Sequence, residues 1–352
     1  MQRTINKLVD GQHLDKEEAQ EAMSLIMTNR VTPVQVAAFI TALRMKGETA
    51  AEITGCALAM RDAAIAISAK SPVVLDTCGT GGDRLGTFNI STAAAFVVAG
   101  AGVTVAKHGN RSVSSKCGSA DVLEALGVRV DLIPKQVEKC LAEVGIGFFF
   151  APTFHHAMKF AAGPRRELGF RSIFNLLGPL TNPAAAGYQV VGVYRRDVAP
   201  ILAQVLLNMG SQRAMVVHGE DGMDELTLTG ATYISETHDG DIINYQVTPE
   251  MFGLTRCLPE EVSGGTAKDN AIIIRQIFSG EGNLARRQIV LLNAAAALYV
   301  CGKAKDLHDG IRLAAEVIEG GKALAVLDRL TALSITLPNP GRESKALGHE
   351  VG

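Results

Sequence analysis

The sequence predicts an α/β protein, with a small N-terminal helical domain followed by a larger α/β domain built on a central, mostly parallel sheet. Three features point there. The first 70 residues carry three successive helix-start signatures; a short apolar run then ends in a glycine-rich loop that opens an alanine-rich helix; and apolar runs alternate with helical stretches over most of the remaining chain.

The helix starts are Asp15 with Glu18, Thr32 with Gln35, and Thr49 with Glu52. At this spacing the cap and the third helical side chain satisfy each other's backbone donors. Pro33 falls at a first helical position and Gly47 just past the end of the same helix, the expected asymmetry. Val36, Ala37, Phe39, Ile40 and Leu43 follow helical spacing and need a partner surface. Val73-Val74-Leu75, a helix from about Ser91, and Val103 to Ala106 read as strand, helix, strand, the unit of a covered parallel sheet. Further strands are expected at Ile146 to Phe150, Gln189 to Tyr194, Ala214 to Val217 and Leu226 to Thr229, and helices at Val198 to Met209 and Gln288 to Val300. Pro164 to Leu177 also reads as helical. The domains are therefore expected at 1–70, rejoined by helices within about 164–182, and at 71–352.

The chain has 352 residues, 47% of them hydrophobic, and a net charge of -2 from 34 basic and 36 acidic residues, so any phosphate affinity must be built locally. Nucleic acid is disfavoured on that ground and by the absence of tryptophan from the stacking inventory. The N-terminus lacks a signal-peptide core, and the apolar stretches fall short of the ~18 residues a membrane span needs. Six scattered cysteines without a C-x-x-C pair fit a reducing compartment, so a cytoplasmic location is expected.

Two segments carry the chemistry. Asp76-Thr77-Cys78-Gly79-Thr80-Gly81-Gly82-Asp83, followed by Thr87 and then Asn89, Ile90, Ser91 and Thr92, places glycines directly after a strand and hydroxyls at a helix start. Backbone donors can approach an anion closely there, and because a helix dipole adds only ~0.3 to 1 kcal/mol, hydrogen bonds must do most of the holding. Arg84 stands where the dinucleotide fingerprint needs its last glycine, and no P-loop motif occurs. The second segment runs from Lys107, His108, Gly109, Asn110, Arg111 and Ser112 through Val113, Ser114 and Ser115 to Lys116, Ser119 and Asp121. It is read as a loop at a strand's carboxyl end, where α/β sheets bind ligands, and its basic residues suit a pyrophosphate.

These two segments, with GPRRELGFRSIFNLLGPLTNPA and VVHGEDGMDELTLTG, closely resemble the anthranilate phosphoribosyltransferases, of the nucleoside phosphorylase/phosphoribosyltransferase-like fold, and the resemblance runs nearly end to end. It implies transfer of the phosphoribosyl group of phosphoribosyl pyrophosphate (PRPP) to the amino group of anthranilate in tryptophan biosynthesis. It further implies that Gly79, Gly82, Asp83, Thr87, Asn89 to Thr92, Lys107 to Ser115 and Ser119 surround PRPP. Ser91, Asp224 and Glu225 would be the magnesium ligands, Lys107, Asp224 and Glu225 the catalytic set in electrostatic and metal roles, and Gly79, Asn110 and Arg165 the anthranilate contacts.

The residue chemistry agrees with these roles. Adjacent carboxylates beside a polyphosphate suit a hard oxygen-seeking cation. On an extended strand Asp224 and Glu225 would face opposite ways, so both can serve only if the loop is kinked or two ions bind; two Mg2+ ions are preferred. The planar fork of Arg165 fits a benzoate carboxylate, whereas Arg166 is read as solvated. Adjacent His155 and His156 lack the spacing of a helix-borne metal pair. No covalent nucleophile set is recognisable. A pyrimidine nucleoside phosphorylase is the nearest alternative, but the Lys107 to Arg111 sequence departs from that family's phosphate loop; a non-catalytic ligand-binding paralogue is a second. The resemblance also implies a homodimer, and no fused amidotransferase domain is expected.

Overall fold

In a computed structural model that describes residues 1–112 and 116–338, four helices open the chain: α1 (Gln2–Val9), α2 (Lys16–Met27), α3 (Pro33–Lys46) and α4 (Ala50–Asp62). Asp15, Thr32 and Thr49 each close a capping box at the start of α2, α3 and α4. The first helix carries no side-chain cap and is held instead by its buried Leu8 and by packing on α3.

The sheet follows with β1 (Val74–Asp76), α5 (Ile90–Gly100), β2 (Thr104–Gly109), α6 (Ser119–Ala125), α7 (Pro134–Val144), β3 (Ile146–Phe150) and α8 (Ala151–Phe154). Next come α9 (Lys159–Leu168), α10 (Phe174–Leu177), β4 (Tyr188–Gly192), α11 (Val198–Asn208), β5 (Arg213–Gly219), β6 (Thr232–His238) and β7 (Asp241–Val247). Four helices complete the described chain: α12 (Ala267–Phe278), α13 (Leu284–Val300), α14 (Leu307–Glu319) and α15 (Lys322–Thr336). None of the helices is long and apolar enough to cross a membrane.

The strand order is β3-β2-β1-β4-β5-β6-β7, parallel from β3 to β5 and antiparallel beyond. The fold class is the one expected from the sequence. Chain order runs outward from the centre in both directions, so the β1/β4 junction is the switch point at which such sheets open a crevice beyond their strand ends. One core packs the sheet against α5, α13 and α15. A second joins α2, α3 and α4 to α11, to Ala161 on α9 and Phe174 on α10, and to Val191, Val193, Ala214 and Val216 at one face of the sheet.

Four details differ from expectation. Leu226 to Thr229 is irregular rather than a strand, because its backbone is claimed by side chains: Leu226 N–H donates to Asn293 Oδ1 at 3.0 Å and Thr227 N–H to Thr232 Oγ1 at 3.0 Å. The hairpin of β6 and β7 takes the antiparallel edge instead. Lys107, His108 and Gly109 belong to β2 itself, not to the loop after it. The helical stretch from Pro164 to Leu177 is broken at Gly169, which ends α9 in a left-handed conformation with φ of 65°.

Candidate active site

At the end of β1, the buried Asp76 carboxylate accepts from the His108 N–H at 3.1 Å and from Asn182 Nδ2 at 2.7 Å, tying the tips of β1 and β2 together. Burial pushes its pKa up to about 6. Asp76, Cys78 and His108 could in principle hold a metal, their ligand atoms lying within 4.8 Å of one another, but both Asp76 oxygens already serve this joint.

From β2, the buried Lys107 reaches under the glycine loop. Its Nζ donates to Thr77 O and Thr77 Oγ1, both at 3.2 Å, and to Ser91 Oγ at 3.4 Å in the first turn of α5. The Ser91 N–H in turn donates to Glu225 Oε1 at 3.0 Å. Ser91, Lys107 and Glu225 thus form one chain of contacts, although their elements are far apart in sequence.

The glycine loop is seated by close backbone approach. A Cβ on Gly79 would lie 3.1 Å from both Asp224 Oδ2 and Gly192 O, and one on Gly192 would come within 1.5 Å of the Asp224 carbonyl. Thr80 N–H donates to Gly192 O at 2.8 Å, and Gly81 and Gly82 then turn with φ of 67° and 83°. That turn brings Asp83 close enough to Asp224 to raise its pKa. Three carboxyl groups converge here, with Lys107 as the cation that eases ionisation of Glu225. Enclosure raises the pKa values of Asp224 and Glu225, reinforced for Asp224 by Asp83 and for Glu225 by Asp224. The segment carrying the pair is kinked, so Asp224 turns to Asp83 while Glu225 turns to Ser91.

The remaining sequence-nominated residues are placed as follows. Thr87 bridges to Ser263, and Asn89 receives Asn270 Nδ2 at 3.0 Å while donating to Cys117 O at 3.4 Å, so it links the two loops. Ile90 is buried in the core, and Thr92 is buried with an Oγ1 that has no partner among the described residues. Gly109 leaves no room for a Cβ, which would meet Ser119 Oγ at 2.2 Å. The exposed Asn110 accepts from Ser119 Oγ at 3.2 Å. Asp121 Oδ2 receives both the Ser112 and the Gly118 N–H, at 3.0 and 2.8 Å, and so staples the two ends of this loop. Arg111 points away onto Glu124, at 2.5 and 2.7 Å, and onto Asp121 at 3.2 Å. Val113, Ser114 and Ser115 lie outside the described residues.

His108 Nδ1 contacts Gly178 O at 3.0 Å, and its ring centroid is 5.1 Å from that of His155. Burial first, and the neighbouring ring second, pushes His108 down to about 3; burial likewise takes His155 to about 4, so both are neutral at physiological pH. On α9 the half-buried Arg165 lies 4.9 Å over the Phe174 ring, has no ion pair among the described residues, and is made less basic by burial; Arg166 is exposed. The sequence alone gives no role to Asp76, Asn182, Gly192 or Arg171. Their partners lie on other elements, and only Gly192, a glycine inside a predicted strand, leaves a local trace.

The fold and this cluster define a class: a helical bundle joined to an α/β domain that gathers carboxyl groups, a serine hydroxyl and a lysine at its switch point. Residues 2–64 match the glycosyl transferase family, helical bundle domain, and residues 71–324 match the glycosyl transferase family, a/b domain. An anthranilate phosphoribosyltransferase of Acetivibrio thermocellus is 56% identical over 93% of this chain and 95% of its own length. The crystal structure of the anthranilate phosphoribosyltransferase of Thermus thermophilus is 44% identical with a TM-score of 0.90, covering 94% of this chain and 99% of that one. The Saccharomyces cerevisiae enzyme of the same name, in complex with PRPP and Mg, is 28% identical with a TM-score of 0.87 over 96% of this chain and 98% of that one. The chain belongs to the anthranilate phosphoribosyltransferase family.

Proposed function

We propose that this phosphoribosyltransferase moves the 5-phosphoribosyl group of PRPP to the amino group of anthranilate, releasing pyrophosphate and N-(5-phosphoribosyl)anthranilate, with Mg2+, in cytoplasmic tryptophan biosynthesis. The observation that carries the reading is the contact chain Lys107–Ser91–Glu225 beside the Asp83–Asp224 pair. Three enclosed carboxyl groups and a serine hydroxyl are hard oxygen donors that fit Mg2+, and without a cation they repel one another. The divergence of Asp224 and Glu225 favours two ion positions. Bound there, Mg2+ would neutralise diphosphate charge together with carboxylate charge.

Lys107 then faces the pyrophosphate end and stabilises charge as it leaves. Gly79 and Gly82 let the loop backbone close on the ligand. Arg165 grips the benzoate carboxylate, and Gly79 and Asn110 complete the acceptor side, orienting the amine toward the anomeric carbon. Proton removal from the amine is not assigned to His108, since a ring pushed down to about 3 is a poor base at neutral pH. Exposed Val9, Val34 and Met45 on and beside α1 and α3 support the homodimer. Mixing protein, PRPP, Mg2+ and anthranilate should deplete anthranilate fluorescence; phosphorolysis of thymidine by phosphate to thymine and the sugar 1-phosphate instead would establish a nucleoside phosphorylase.

A further inference from the structure

The stretch between α9 and α10 holds a cation that the reaction above leaves unused. Arg171 donates through Nη2 to the carbonyl of Gly82, and its guanidinium lies 4.0 Å over the Tyr194 ring just beyond β4. It has no ion pair among the described residues. A Cβ on Gly82 would meet this guanidinium, and its φ of 83° already favours glycine at that position. The carbonyl it grasps belongs to the left-handed turn at Gly81 and Gly82 that aims Asp83 at Asp224. Arg171 follows directly on the helix of Arg165, only Gly169 and Phe170 intervening after the end of α9.

We infer that Arg171 is a positioning residue that clamps the glycine loop in its diphosphate- and metal-binding shape and ties it to the segment bearing the acceptor-binding arginine. The stacked, planar fork suits this better than an ammonium would: the ring face fixes the plane of the guanidinium, and the plane fixes the direction of its N–H toward Gly82. The inference rests on the donor site proposed above. An unclamped turn of two consecutive left-handed glycines regains backbone freedom, and the ligand must then supply the ordering entropy itself.

The test is calorimetric binding of PRPP with Mg2+ and no acceptor, followed by KM for each substrate. R171A is expected to weaken PRPP binding roughly tenfold and to raise the Mg2+ needed for half-saturation, with KM for anthranilate within about twofold and thermal midpoint little changed. R171K, which keeps the charge but not the fork, should recover only part of this, and Y194L should show a smaller loss in the same direction. Unaltered PRPP affinity in R171A, or equal losses for both substrates alongside a fallen thermal midpoint, would overturn the inference. If R171A does not fold, Y194L and R171K decide it by the same criterion. PRPP binding by the wild type without turnover of anthranilate would fault the acceptor assignment and leave this one standing.

Discussion

The proposed donor and acceptor ends of the site are built on opposite plans. At the donor end, Asp83, Asp224, Glu225, Ser91 and Lys107 crowd together from three separate segments, each seated by backbone contacts. At the acceptor end, one arginine on one helix, stacked on Phe174, carries the charge. A polyanion with a metal needs several groups held at fixed spacing, so the donor end is tied down by Gly192, Asp76 and Asn182; a flat monocarboxylate needs one fork and a slot. Substitutions at the donor end should therefore reach turnover, while those at the acceptor end should act on binding.

Asp224→Asn should have the largest effect. Removing one of three clustered carboxylates while keeping its shape should lower Mg2+-dependent turnover by about 100-fold or more and shift the metal titration to higher concentration. An unchanged metal titration would remove Asp224 from the ligand set and break the contrast. Lys107→Ala comes next. It deletes the cation beneath Ser91 and leaves Glu225 and Asp76 without their compensating charge, so kcat should fall by about 10- to 100-fold and KM for PRPP should rise. Unaltered PRPP kinetics would place Lys107 outside the phosphate end.

Arg165→Ala sharpens the comparison from the other side. Loss of a charge-assisted pair worth ~1.5 to 3 kcal/mol should raise KM for anthranilate by about tenfold to a hundredfold. KM for PRPP should stay nearly constant. If both constants rise together, the two ends are not separate and Arg165 is holding the crevice rather than the acceptor.

What could be read in advance follows the same line between local and distant. The capping boxes of α2, α3 and α4 and the β1–α5–β2 unit are legible because their signals lie within a few residues. Ser91, Lys107 and Glu225 can be nominated from their motifs, but their convergence depends on sheet order, which no local pattern carries. Arg171 is unreadable for the same reason: its partners, Gly82 and Tyr194, lie on either side of it in sequence and far away. The misread strand at Leu226 shows the converse, since its Leu-Thr alternation is real but its leucines enter the core from a loop fastened by Asn293. The β6–β7 hairpin does carry a turn signal, Asp239-Gly240 with both φ positive, between strands too polar to stand out by alternation.

The smallest expected effect concerns stability, at the tilted pair of His108 and His155 rings. Both are pushed below the usual histidine value of 6.5, to about 3 and about 4, so between pH 6.5 and 4 the unfolded chain binds protons there that the folded chain refuses. Their contribution is complete above pH 6.5 and is lost as the pH falls toward 4. Asp76, raised to about 6, works in the opposite sense across much of the same window, because its folded form holds the proton longer than the unfolded form does. Only the difference between variants isolates the rings. His155→Gln should therefore flatten the rise of apparent Tm between pH 4 and 6.5 relative to the wild type, whatever it does to Tm at pH 7. Parallel curves would mean that the imidazoles protonate within the folded protein, and that their surroundings are wetter than their burial indicates.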